Sequence, residues 1–237
     1  MRLPWLENSA PFPSVLRALR SPNGLLCAGG DLSLQRLKSA YAQGIFPWFN
    51  EGEPILWWSP DPRCVLFPAE LLVSKRDWRS LRSSGWVVRS NTHFANVLTR
   101  CAAPRANYFG AGTWLSSEMQ RAYGLLNAAG VAHSVEVFDK EELIGGIYGV
   151  AVGGVFCGES MFGARSNASK AALVALVLGL ERMGFAVLDC QVRSQHLEAR
   201  GAKDISRLSF QSMLAAYTRE QPWHSGVWVE PWRKSPA

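Results

Sequence analysis

Three observations predict an α+β fold for this chain of 237 residues. Strand-like and helix-like segments alternate from about Arg63 onward. Three strand-like runs stand one after another at 134–138, 143–152 and 155–161, separated by Asp139-Lys140-Glu141-Glu142 and by Gly153-Gly154, which is the pattern of an antiparallel meander. The strongest helical segment, 167–183, is followed at once by another strand-like run at 186–192.

The elements follow in order. Ser33 is placed to cap a helix whose Leu34, Leu37, Ala40 and Tyr41 share one face, and Gly44 ends it. Around it, Pro11-Phe12-Pro13, Pro47-Trp48-Phe49 and Ser59-Pro60-Asp61-Pro62 read as turns and extended chain, so residues 1–62 are expected to form a small, irregular α/β domain. Residues 63–237 are expected to form the larger one. In it, 64–67 and 86–88 read as strands. Asn91 opens a helix with Phe94, Val97, Leu98 and Cys101 on one side, and a second helix from about Ser116 aligns Met119, Ala122, Tyr123 and Leu126. Asn167 is the expected cap of the long helix and Gly184 its stop, and a last helix spans about 209–217.

Composition bounds the function. With 48% hydrophobic and 19% charged residues and no block of like charge, the chain can bury a core unaided. A net charge of +6 favours an anionic partner such as nucleic acid without requiring one. The five cysteines include no C-x-x-C and make no metal spacing with the four histidines, which fits a reduced cytoplasm and no metal. No apolar leader is visible after Met1, and the longest apolar stretch, 171–180, is about half a membrane span, so a cytoplasmic protein with no membrane partner is expected. Residues 163–170 come near a phosphate loop, but Ala168 replaces its second glycine and Ser169-Lys170 is in the wrong order. G-x-G-x-x-G, H-E-x-x-H and G-x-S-x-G are absent, which disfavours nucleotide hydrolysis, dinucleotide redox chemistry and zinc hydrolysis.

Four clusters remain. Glu159, in Gly158-Glu159-Ser160-Met161-Phe162, is either a solvent-facing strand residue or a carboxylate that needs a partner. Asp189 and Gln191 lie two apart on a strand, hence on one face, as a structural hydrogen-bonding pair or a reactive one. Phe46, Trp48, Phe49, Trp57, Trp58 and Trp114 sit in loop-like sequence, where an indole stacks on a base or fills a small core. Lys75, Arg76, Arg79 and Arg82, with Trp78 among them, form a basic segment suited to phosphates or simply exposed.

Read together, Pro22-Asn23-Gly24-Leu25-Leu26, Gly29-Gly30-Asp31-Leu32-Ser33, Gly44-Ile45-Phe46-Pro47-Trp48-Phe49 and Ile55-Leu56-Trp57-Trp58-Ser59-Pro60-Asp61-Pro62-Arg63 resemble the N-terminal region of the leucyl/phenylalanyl-tRNA–protein transferases. The resemblance continues through Thr113-Trp114, residues 132–137, Gly158-Glu159-Ser160-Met161-Phe162, Asn167-Ala168-Ser169-Lys170 and Asp189-Cys190-Gln191, in order and over nearly the whole chain. It implies a larger domain similar to the acetyltransferase (GNAT) fold, with an antiparallel-rich mixed sheet. It implies transfer of Leu, Phe or sometimes Met from aminoacyl-tRNA to proteins with N-terminal Arg or Lys, which marks them for N-degron degradation, with no cofactor and a monomer as the default. Asp189, Gln191 and Glu159 are then the expected catalytic residues, with Asp189 orienting and polarising Gln191. Trp48 and Trp114 would stack on the terminal adenine, Phe156 and Met161 would wall the donor pocket, and the basic segment would meet the tRNA. Residues 108–112 resemble a short insertion, Asn127 stands where the family has His, and 69–72 is unlike its usual counterpart. An acetyl-CoA-dependent N-acetyltransferase and a non-catalytic tRNA-binding module are the competing readings; a Gly-rich pyrophosphate turn before the long helix, which the former needs, is not recognisable.

Overall fold

The computed structural model describes residues 3–8, 10–103, 115–229 and 231–232. Trp114 and residues 108–112 lie outside the described residues. Two sheets organise the chain. The smaller contains β1 (Trp5–Leu6), β2 (Leu25–Gly29), β3 (Phe46–Pro47) and β4 (Leu56–Trp58) in the order β1-β2-β4-β3, with α1 (Leu34–Ala42) crossing between β2 and β3. The N-terminal region is therefore less irregular than its Pro and Gly content suggests. Its strands are only two to five residues long, too short for alternation to reveal them.

The larger sheet has eight strands: β5 (Arg63–Leu66), β6 (Val87–Ser90), β7 (Ala132–Asp139), β8 (Glu142–Val152), β9 (Val155–Gly163), β10 (Val187–Gln191), β11 (Lys203–Ile205) and β12 (Gly226–Val227). Their order is β11-β5-β10-β9-β8-β7-β6-β12. β7 to β9 form the expected antiparallel meander. β10 pairs parallel to β9 and antiparallel to β5, so the sheet is mixed. The parallel pair needs a crossover, and α5 (Ala168–Met183) supplies it.

Seven α-helices and two short 3-10 turns (Val15–Arg17 and Pro68–Glu70) complete the described residues; the α-helices are α1, α2 (Lys75–Arg82), α3 (Phe94–Ala102), α4 (Ser117–Ala128), α5, α6 (Gln195–Glu198) and α7 (Arg207–Ala216). Four details differ from the sequence reading. Asn167 stands at the cap position of α5 as expected, but at φ 66° its side chain makes no capping bond. Asn91, at φ 56°, lies before α3, whose cap position is His93; its side chain instead holds Ser134 N–H and His133. The basic segment is itself a helix, α2, capped by Ser74, and α7 begins earlier than expected because Ser206 caps it.

The sheet separates two cores. On one side α5 lies across β7, β8 and β9, burying Leu173, Leu176, Val177 and Leu180 against Val135, Val137, Ile147, Phe156 and Leu188, with Leu81 of α2 in the same cluster. A Cβ on Gly145 would meet Ala168 O at 2.7 Å, which is why α5 can begin so close to β8. On the other side α3 and α4 pack with Tyr148, Val150, Cys157 and Phe162 into a cluster that continues into the small sheet through Leu37, Tyr41, Phe46 and Trp57. Phe210 and Leu214 of α7 join this cluster, and Arg207 reaches back to Val15 O, so the two sheets share one core. Asn127, on α4, donates to Ala132 O and ties that helix to β7.

Candidate active site

The site forms where β9 and β10 run side by side under α1 and α4. Two irregularities aim its residues. β9 carries an extra residue at Glu159, between the pairs Gly149–Gly158 and Tyr148–Ser160. β10 bulges between Asp189 and Gln191, where Gln191 takes φ 62°. A left-handed non-glycine residue is strained and persists when its surroundings over-determine it.

Asp189 is that determinant. It is completely buried, and Arg63 of β5, 1% exposed, grips it with Nε to Oδ1 at 2.8 Å and Nη2 to Oδ2 at 2.7 Å. Arg63 also donates to Gly44 O at 3.1 Å and lies against the rings of Phe46 and Phe210. Asp189 Oδ1 in turn accepts the backbone N–H of Gln191 at 2.9 Å. This corrects the expected role of Asp189. It positions Gln191 through the backbone, does not touch the side-chain amide, and is sealed from solvent by its own ion pair.

The Gln191 amide turns to Glu159 instead, donating from Nε2 to Oε1 at 2.8 Å. Tyr123 of α4 donates to the other oxygen, Oε2, at 2.6 Å, and the hydroxyls of Tyr41 and Tyr123 are 2.8 Å apart. Glu159 is partly exposed and has no ion pair among the described residues. Burial pushes its carboxyl up to about 7, against the pull of Tyr123, the nearby Tyr41 hydroxyl and Gln191, with the charge of Asp189 adding to the rise. Burial also keeps Tyr41, Tyr123 and Tyr148 protonated well above the usual phenol range.

The structure thus brings Glu159, Asp189 and Gln191 into one connected network. It does not bring every expected residue there. Phe156 is 1% exposed on the α5 side of the sheet, packed against Phe185 and stacked on Trp223 at 5.2 Å, so it fills core on the face opposite Glu159. Met161 packs against that same cluster: it is two residues from Glu159, but the extra residue in β9 breaks the alternation and sends it to the other face. Trp48 is 45% exposed beside Trp58, whose Nε1 holds Trp48 O at 2.7 Å; it is two residues from Phe46, which packs on Arg63. Lys75, Arg76, Arg79 and Arg82 are all exposed on α2, with Arg82 over Trp78 at 5.2 Å, and this helix too packs on the α5 side. Sequence reasoning missed three members of the network. Arg63 is the cation a buried Asp189 requires, and Tyr41 and Tyr123, on the inner faces of helices, need partners for their hydroxyls.

A family model described as leucyl/phenylalanyl-tRNA protein transferase matches residues 65–215, and one for that family's N-terminal domain matches residues 30–61. A leucyl/phenylalanyl-tRNA–protein transferase of Nitrosospira multiformis is 53% identical over 212 residues, 90% of each chain. That of Nitrosomonas eutropha is 50% identical over 223 residues, 94% of each. The one from Pseudomonas fluorescens is 53% identical over 213 residues, 90% of this chain and 93% of the relative. A solved structure of L-PGS from Bacillus licheniformis overlaps 82% of this chain and 64% of its own, with 12% identity and a TM-score of 0.39, too low to define the fold. The chain is a transferase enzyme. It belongs to the leucyl/phenylalanyl-tRNA–protein transferase family.

Proposed function

We infer that this chain transfers leucine or phenylalanine, and sometimes methionine, from aminoacyl-tRNA to the N-terminal Arg or Lys of acceptor proteins, marking them for N-degron degradation in the cytoplasm. The observation that carries this reading is identity of about half over at least nine-tenths of the chain to transferases of that name. The site agrees with the chemistry. An aminoacyl ester is already activated, so its aminolysis needs orientation and proton management more than a strong nucleophile. Gln191, held by Asp189 and Arg63, offers an amide placed to orient the amine or the tetrahedral centre, while Glu159 supplies a partly exposed carboxylate.

Trp48 is an exposed indole suited to the terminal adenine, with Trp114 its expected companion, and α2 presents four cations to phosphate. The donor side chain is expected to meet an apolar wall; such walls discriminate by about 1–3 kcal/mol per methylene, so Leu would be favoured over Ile by a ratio and not absolutely. The larger domain is read as GNAT-like and the protein as a monomer. No helix among the described residues is long and apolar enough to cross a membrane.

Radiolabelled Leu-tRNA offered with a peptide beginning with Arg tests the reading. Labelled peptide is expected, and none when the peptide begins with an acidic residue or when acetyl-CoA replaces the charged tRNA as donor. Binding of charged tRNA with no peptide product would overturn it.

A further inference from the structure

Two carboxylates stand at the site, and they differ in the property that decides proton transfer. Asp189 is sealed and matched charge for charge by Arg63. Glu159 is partly exposed, and each oxygen is held by one neutral donor, Gln191 on Oε1 and Tyr123 on Oε2. A carboxylate has about four acceptor sites, so two donors leave it capacity for a proton. The single proton of Tyr123 is committed to Glu159, so in the pair with Tyr41 it is Tyr41 that donates. The result is a line of hydroxyls running from α1 in the N-terminal region, through α4, to the carboxylate on β9.

We propose that Glu159 takes up the proton shed by the acceptor's ammonium group, and that Tyr41 and Tyr123 are positioning residues that hold its Oε2 for that step. The proposal rests on the transfer reaction inferred above. One ammonium proton passes to the Glu159 carboxylate, leaving a neutral amine. The nitrogen lone pair forms the new C–N bond at the ester carbonyl, and a second N–H proton moves to the ribose oxygen as its bond to that carbon breaks. Glu159 then releases its proton to water. The groups facing Glu159 are Tyr123 from α4, Tyr41 from α1, Tyr148 from β8, Arg63 from β5, Asp189 and Gln191 from β10, and Cys157 on its own strand. Its carboxyl, raised to about 7, exchanges protons in the range where an α-amine also does.

The sign of the effect follows. Glu159 is competent when ionised, so the rate falls as pH drops through about 7. Tyr123 favours the ionised form, so Tyr123→Phe raises the carboxyl further and moves the acid limb of kcat/KM upward by about one pH unit, the scale of one charge-assisted hydrogen bond. Tyr41→Phe moves it the same way by less. The test measures pH profiles of peptide labelling for the full chain and these variants with one acceptor peptide, so that titration of the amine is common to all. Recovery of Tyr123→Phe at high pH supports the proposal, as does loss of the limb in Glu159→Gln with a fall of about 100-fold or more. A uniform loss at every pH in the tyrosine variants, or a near-normal rate for Glu159→Gln, overturns it. If Tyr123→Phe does not fold, Tyr41→Phe decides by the same readout. A parent chain that makes no product at all sinks the transfer reading and not this assignment alone.

Discussion

The two faces of the eight-stranded sheet are built on opposite principles. Toward α5, buried contacts come from Leu, Val, Ala and Ile, packed by shape with few polar atoms. Toward α1, α4 and α7, the same strands bury an ion pair and hydrogen-bond a carboxylate to an amide and a tyrosine pair. The first face supplies stability through area removed from water. The second holds polar groups in one geometry, and it is sound because the ion pair, the carboxylate, the amide and the tyrosine pair hold one another. A sheet can therefore carry a reactive centre on one side when the other side secures the fold.

The largest expected effect breaks the polar face. Asp189→Ala leaves the Arg63 guanidinium buried without its counter-ion and frees Gln191 from its left-handed turn. Peptide labelling should fall about 100-fold or more, and urea melts should show a loss of about 3–5 kcal/mol, while charged tRNA still binds. Near-normal turnover would show that the strut is dispensable. Leu176→Ala breaks the apolar face instead. It should cost about 2–5 kcal/mol in the same melts and leave kcat/KM at low temperature unchanged; a matching loss of activity would mean that the faces are coupled and not divided in labour.

Asp77 sharpens the comparison on the α5 side, where it bridges Lys170 at 2.7 Å and Arg200 at 3.0 Å. The hydrogen bond from Lys170 leads the contacts that hold its carboxyl down at about 2 against some desolvation. A depressed carboxyl stabilises the fold above its unfolded value near 3.8 and loses that contribution as pH falls toward 2. Asp77→Asn should therefore cost about 1–2 kcal/mol at pH 7 and little near pH 2, read from melts across that window. Trp48→Ala should raise the KM for aminoacyl-tRNA about tenfold, as for a lost base stack, without changing stability; an unchanged KM would make the indole surface filling. The smallest change is Arg79→Ala, which should weaken tRNA binding modestly and lower the salt slope of log K by about one. An unaltered slope would remove α2 from the RNA interface.

Much of this was legible in the chain itself. The meander over β7 to β9, the helix faces of α1, α3 and α4, the extent of α5 and the strand bearing Asp189 and Gln191 all follow from periodicity and turn residues. The resemblance added Glu159 to that pair. Helix α2 was not legible, because four cations hid an amphipathic face made only of Trp78 and Leu81. Asn91 and Asn167 read as caps, since the αL backbone they adopt is equally congenial to Asn. Phe156 read as a pocket wall, because motif proximity to Glu159 does not say on which side of the strand a ring lies.

By itself the sequence determined which of the longer apolar segments are helix or strand and which of their residues turn inward, because apolar spacing is a local property of the backbone repeat. Tertiary structure alone decided that β10 slips between β9 and β5, that Arg63 meets Asp189 across 126 positions of chain, and that hydroxyls from two helices converge on one carboxylate. The reason is physical. A buried polar group must find a partner, but what it finds depends on which distant surfaces the packing brings within about 3 Å.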